Sequence, residues 1–309
     1  MGDKMDYRTF QEEIKNLAEE GFREKGDYAI SWHTAHKNNI SRRGLTISEQ
    51  GKEAGITVYL DQYYQEYLQG KALSKICGEL VSLYREKQPL DITASELTDY
   101  GKMKGKLRIR LAGREQNAAY LEEGPYQIHP VGAEVVYAEL ARTEEGTLGM
   151  RVTHQILKQW GIPEQELFET ALENCQKEEG VRFGTIMSEV EEITGMEMPE
   201  DDPIDKSGLY VLSNQSRNYG AVVLLYPGVL EEVYRKMEGD FYILPSSVHE
   251  VLILSKEAEF TPAELKRIVM EVNREQVAPE ERLGNDVYEF QGKTGTLQKC
   301  KIAEKQMAR

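Results

Sequence analysis

The chain predicts an α+β fold, with paired, mainly antiparallel strands and interspersed helices. Short apolar runs come in adjacent pairs across polar turns, as in Phe241–Leu244 and Val248–Leu254 around Pro245-Ser246-Ser247. Amphipathic stretches at helical spacing fall between those pairs, which argues against a doubly wound parallel sheet. The composition, 40% hydrophobic and 29% charged over 309 residues, suits a globular chain with a real core.

Each element follows from its local pattern. Residues 6–24 predict a helix, because Phe10, Ile14, Leu17 and Phe22 recur on one side. Tyr28–His36, Gly44–Ser48 and Ile56–Leu60 predict three short strands. Asp61–Leu68, rich in tyrosine, and Leu73–Arg85 predict helices. A basic strand follows around Leu107–Leu111, then a hairpin of Ala133–Ala141 and Thr147–Thr153. Helices are predicted at His154–Trp160, Pro163–Lys177 and Phe183–Ile193. The last region predicts strands at Leu209–Ser213, Ala221–Tyr226, Phe241–Leu244, Val248–Leu254 and Val287–Phe290. Its helices are Val229–Met237 and Pro262–Asn273, the latter opened by a capping box of Thr261 and Glu264 with Pro262 in the first turn. Pro89 and the acidic, proline-bearing Met198–Asp205 stretch mark boundaries. They divide the chain into an N-terminal α/β region (1–88), a middle α+β region (89–200), a C-terminal α+β region (201–292) and a frayed tail (293–309).

The net charge of −15 is unevenly spread. Residues 161–205 hold 14 acids against Lys177 and Arg182. Glu189, Glu191, Glu192, Asp201 and Asp202 within them form a candidate partner surface. Residues 101–114 carry six bases and no acid. Lys106, Arg108 and Arg110 then share one strand face, predicted to point outward, with Leu107, Ile109 and Leu111 on the inner one. Such a face is a candidate anion site, or it pairs with the acidic segment of its own chain. The overall acidity repels phosphates, so nucleic acid is not an expected partner.

The stretch from Asp240 to Leu254 carries a second candidate. On a strand, His249 and Glu250 point to opposite faces, while Ser247 and His249 share one. Ser247, His249 and Glu250 are therefore the candidate catalytic residues, although a triad from these three alone does not form. The plainer reading has Ser246, Ser247 and His249 satisfying backbone groups at a turn. Other motifs fail on spacing. Gly292-Lys-Thr294 lacks the upstream glycine of a phosphate loop, and Ile253 stands where a zinc motif needs histidine. No cofactor or metal site is expected. Cys77, Cys175 and Cys300 form no CxxC pair, which suits reduced thiols. With no apolar run long enough to span a bilayer and no signal-peptide pattern, a cytoplasmic setting without membrane association is expected.

Four blocks carry a family resemblance: Asn38-Asn39…Gly44-Leu-Thr-Ile47…Ile56–Leu60…Gly70, then Gly220-Ala…Leu225-Tyr-Pro-Gly228, Phe241–Val251, and Val272-Asn273…Asp286-Val-Tyr288. They resemble a domain-of-unknown-function family of anaerobic gut bacteria, often encoded near mobile elements. Val152-Thr153…Trp160-Gly161…Ala171–Asn174 is more distantly similar to the uncharacterised YtpQ-like proteins. Neither resemblance supplies catalytic residues. The expected function is that of a non-catalytic cytoplasmic protein acting through a protein partner, as an accessory or anti-defence factor of a mobile element. The alternative is a small hydrolase or ligand-binding enzyme with its site near Ser247, His249 and Glu250.

Overall fold

The spacing of Phe10, Ile14, Ala18 and Phe22 buries one side of α1 (Tyr7–Arg23). The computed structural model describes residues 4–23, 28–49, 55–86, 93–115, 117–143, 146–195 and 208–302. The chain forms two compact units, residues 1–37 with 41–99, and residues 38–40 with 100–309. Its class is α+β, and the strand pairs described here are antiparallel.

In the first unit, β1 (Tyr28–Lys37), β2 (Ile40–Glu49) and β3 (Gly55–Tyr59) make one sheet in that order. The helices α2 (Asp61–Leu68), α3 (Leu73–Glu86) and α4 (Ala94–Leu97) follow. Phe10 and Ile14 of α1 share a core with Leu45, Ile47, Leu60, Ile76 and Leu80. The tyrosines of α2 serve this core: Tyr64 and Tyr67 lie 5.2 and 5.4 Å from the Phe10 ring.

The second unit opens with α5 (Tyr100–Met103), β4 (Leu107–Ala112), α6 (Ala118–Glu122), β5 (Tyr126–Ile128), β6 (Ala133–Thr143) and β7 (Gly146–Arg151). The strands β4, β5 and β7 all pair with the long β6. Next come α7 (His154–Trp160), α8 (Glu164–Glu178), β8 (Val181–Thr185), α9 (Ile186–Thr194) and β9 (Leu209–Asn214). The chain continues through α10 (Val229–Met237), β10 (Phe241–Leu244), β11 (Val251–Ser255), α11 (Pro262–Glu275), β12 (Tyr288–Gln291) and β13 (Thr296–Lys299). These last strands form a six-stranded sheet ordered β13-β12-β10-β11-β9-β8. All four residues of β10 are buried, as in a strand covered on both faces. Leu265 and Val269 of α11 pack against Tyr242 and Leu244. Among the described residues no helix is long and apolar enough to cross a membrane.

Several sequence expectations change here. The segment expected as one helix, Phe183–Ile193, is split. Its beginning belongs to β8, where the edge of β9 draws Val181–Thr185 into a ladder, and Thr185 then caps α9 by accepting from Ser188 N. The run Ala221–Tyr226 is a buried 3-10 turn, Gly220–Leu225, instead of a strand. It is reached through a left-handed Tyr219, which turns the chain out of strand direction. The strand expected from Val248 starts at Val251, because Val248 N donates to Glu281 O in a neighbouring loop. The tail contributes β13, paired with β12, before the described residues end at 302. The expected 198–205 linker, with Asp201 and Asp202, lies outside the described residues.

Three asparagines hold the irregular backbone of this unit. Asn39 sits in the left-handed region at φ 59°, a conformation asparagine tolerates better than most residues. Its backbone N–H donates to Asn117 Oδ1 at 2.6 Å. Asn38 Oδ1 accepts from Gly113 N at 2.9 Å and Asn117 Nδ2 at 2.8 Å. The side-chain amides of Asn38 and Asn39 both donate to the Arg282 carbonyl, at 2.8 and 2.7 Å. A Cβ on Gly113 would stand 2.9 Å from Asn39 Oδ1 and 3.0 Å from Leu283 O, so the knot needs glycine there. Asn117 itself is 1% exposed. Asn117→Ala strands the Asn39 N–H and is expected to cost about 1–3 kcal/mol, the penalty for an unsatisfied buried group. Urea denaturation measures it, and an unchanged midpoint would remove this role.

Candidate functional site

Two concave regions of the second unit stand out among the described residues. The larger encloses about 1550 Å3 and the smaller about 230 Å3. The residues singled out in the sequence fall mainly beside the smaller one.

The basic strand is not an outer face. Lys106 lies in a 3-10 turn before β4 and is half-buried. Arg108 is 8% exposed, because α8 packs along β4. Its Nη2 donates to Glu178, and its Nε stands 3.7 Å from Glu139 Oε2. Arg108 thus faces the acidic segment of its own chain. Arg110 behaves differently. Its guanidinium lies 3.6 Å over the Tyr219 ring and 4.3 Å over the Tyr137 ring. Among the described residues no carboxylate is within ion-pair distance of it. Arg110 and Tyr219 line the smaller cavity with Glu139, Glu179, Asn214, Ser216 and Asn218.

His249 reaches the same place from β11's side. Its Nδ1 accepts from Tyr219 N at 3.1 Å, and the two rings are 5.2 Å apart. That bond requires the neutral ring to carry its proton on Nε2, which stands 3.8 Å from Glu281 Oε1. Ser247 is buried, and its Oγ accepts from the backbone N of His249 at 3.0 Å. Glu250 is half-buried; burial raises its pKa, opposed by a hydrogen bond from Ser247. Ser247, His249 and Glu250 are neighbours, but the serine and imidazole both serve backbone N–H groups instead of each other. Burial pushes the thiols of Cys175 and Cys300 up to about 11, so both are neutral at pH 7 and poor nucleophiles.

Of the described acids named as a surface, Glu189 is internal and Glu192 is exposed. Glu189 is 6% exposed and accepts from Arg182 Nε at 2.5 Å and Arg217 Nε at 3.0 Å. Glu192 takes the outer nitrogens of the same two arginines. Glu191 is half-buried. Among the described residues no group of three or more His, Cys, Asp or Glu side chains is placed to hold a metal ion.

The larger cleft is built by one face of α11, where Ala263, Arg267, Met270 and Arg274 recur at helical spacing. Its other walls are Arg114, Glu115, Pro130, Val131 and the 279–286 loop. Asp286 is engaged by Lys266 at 2.7 Å and by Lys299. Burial would raise that carboxyl, but those two hydrogen bonds outweigh it and hold it below its ordinary value. Glu264 is held by Thr261 in the capping box. Arg114 and Arg267 have no carboxylate at ion-pair distance among the described residues. Sequence reading missed this cleft. The spacing of Arg267 and Arg274 was available, but their nearness to Arg114 depends on long-range packing.

A family model matches residues 7–292 of the chain, across both units. The chain belongs to DUF5688, a family of unknown function. The DUF5688 match takes in the asparagine knot, the Arg110 clamp and the whole of α11. Comparison with curated proteins and with solved structures gave no match.

The turn before β6 supplies a pH-dependent element of the cleft wall. His129 Nδ1 accepts from Val131 N at 3.3 Å, and burial lowers its pKa to about 4. An unfolded histidine titrates near 6.5. Between about 4 and 6.5 the unfolded chain therefore binds the proton that the folded chain refuses, so this contribution to stability falls as pH drops through that window. His129→Asn keeps an acceptor and removes the titration. The loss of thermal midpoint from pH 7 to pH 5 is expected to be smaller in the variant; an equal loss would overturn the assignment.

Proposed function

We propose that this chain acts through a protein partner, without chemistry of its own, and that the cleft beside α11 receives an extended acidic segment of that partner. The observation that carries the reading is the cleft's size combined with its charge. Its volume of about 1550 Å3 exceeds the roughly 300–1,000 Å3 of sites for small molecules. With Asp286 and Glu264 engaged internally and Arg274 paired with Glu275, the cleft's Arg114, Arg267 and Arg282 stand against Glu115 and Glu271. A local positive excess on a chain of net charge −15 attracts acidic groups to this one place. Met270, Val131 and Pro279 supply apolar contact between the charges. The hydrolase alternative draws less support, because Ser247 and His249 are hydrogen-bonded to backbone groups and not to each other.

We infer a cytoplasmic setting, supported by three buried cysteines that form no disulfide among the described residues. The resemblance of Phe241–Val251 and its companion blocks supports a partner met in the context of a mobile element in gut bacteria. The YtpQ-like similarity adds no role.

A photo-crosslinking residue at Met270, in the chain expressed in its native host, tests the reading. One discrete protein is expected to crosslink. Reversing Arg114 and Arg267 to Glu should weaken that capture about tenfold or more, as the loss of ~1.4 kcal/mol does, with an unchanged thermal midpoint. No crosslinked protein, or capture indifferent to the reversal, would overturn it.

A further inference from the structure

We propose that the smaller cavity is a binding site for a free zwitterion of α-amino-acid size, with Arg110 receiving its carboxylate. The inference is independent of the partner reading, since the two concave regions share no lining residue.

The case begins with the placement of Arg110. An arginine has five N–H donors in a planar fork that matches a carboxylate. Two tyrosine rings, centred 3.6 and 4.3 Å from it, hold Arg110's guanidinium in place. Its neighbour Arg108 is taken up by Glu178 and Glu139, whereas Arg110 makes no ion pair with a described residue. The fork is oriented, and its edge remains to be satisfied.

Tyr219 is positioned at a conformational cost. It lies in the left-handed region at φ 51°, and Arg217, two residues before, at φ 54°. Non-glycine residues enter that region only at a steric cost. His249 Nδ1 holds the Tyr219 N–H. Gly220 then passes so close to β9 that a Cβ would stand 2.7 Å from Asn214 N. The strained turn is thus held from two sides, with the tyrosine ring over Arg110. Tyr219 and His249 are positioning residues here.

Size and charge select the ligand. A cavity of about 230 Å3 has room for several waters at roughly 30 Å3 each, which suits a molecule of about ten heavy atoms or fewer. Its lining carries Arg108 and Arg110 against Glu139 and Glu179, so it is balanced in charge. A phosphate dianion would find Arg108 already engaged and only Arg110 left, beside the carboxylates of Glu139 and Glu179. A zwitterion puts its carboxylate on Arg110 and its ammonium toward Glu139 and Glu179. Glu179 is already oriented by Asn214 Nδ2 and by Ser216 Oγ at 2.9 Å.

The test titrates the full chain with each common α-amino acid, and with propionate and inorganic phosphate, by calorimetry and thermal shift. One or a few amino acids are expected to bind and raise the melting temperature, with propionate at least tenfold weaker and phosphate not competing. Arg110→Lys keeps the charge and loses the fork, so binding should fall at least tenfold. If the Arg110 variant does not fold, the Arg110 Nε–H resonance of the wild type should shift on titration with the bound amino acid. Absence of binding by every amino acid, tighter binding of phosphate, or an Arg110→Lys chain that binds as well as wild type would each overturn the proposal. An unmoved Arg110 resonance during binding would do the same.

Discussion

Loops cannot satisfy their own backbone, and in the second unit that duty falls to a few side-chain amides. Asn38 and Asn39 converge on the Arg282 carbonyl, while Asn117 ties them to Gly113. Buried amide and carbonyl groups left unpaired each cost about as much as a lost core contact. These three residues therefore decide where two stretches of irregular chain run. One stretch carries Arg114 and the other Arg282, so the knot also decides where the cleft's cations stand. From Arg282 the constraint passes onward. Leu283 N and Gly284 N donate to Ser246 O and Pro245 O, and Ser247 bridges Arg282 in antiparallel fashion. The Pro245 turn is held in that way, and His249 follows it toward Tyr219.

Charge is handled in the same local manner. Within the described part of the acidic 161–205 segment, several acids are paired internally, while Glu164, Glu169 and Glu173 are exposed. Glu189 sits between Arg182 and Arg217, and Glu178 meets Arg108. A carboxylate as buried as Glu189 is tolerated because two guanidinium groups accompany it. The consequence lies elsewhere in the unit. With many opposite charges matched at short range, Arg110, Arg114 and Arg267 stand apart as cations with no carboxylate at ion-pair distance among the described residues.

How far the sequence reached follows from which signals are local. The capping box at Thr261 and Glu264, the apolar spacing of α1 and the α10 stretch depend on neighbours within a turn or two, and they appear where expected. The segment at 181–185 failed because its partner, β9, comes later in the chain. Gly220–Leu225 failed because a strongly apolar run fits a buried strand and a buried 3-10 turn equally; the left-handed Tyr219 decided, and it is set by His249 thirty residues on. Asn38-Asn39 stood out as a dipeptide, but its meaning required Asn117 and Arg282. Arg110 and His249 were both singled out, in separate roles. Tyr219, the residue that joins them, carried no local signal.

This arrangement explains why so polar a cluster survives inside the unit. An apolar replacement for His249 or the asparagines would fill space but leave backbone N–H groups of left-handed residues without acceptors. The side chains that satisfy those groups are consumed in doing so: Ser247 by the His249 N–H, His249 by the Tyr219 N–H, Asn117 by the Asn39 N–H. Of the two polar atoms of His249, the Nδ1 acceptor is spent in this way, and the Nε2–H stands 3.8 Å from Glu281 Oε1. Arg110 differs in kind, because aromatic faces, which accept no bidentate hydrogen bond, fix it in place. Its orientation is settled by packing while its donors remain unspent, which is the physical condition for recognising another molecule.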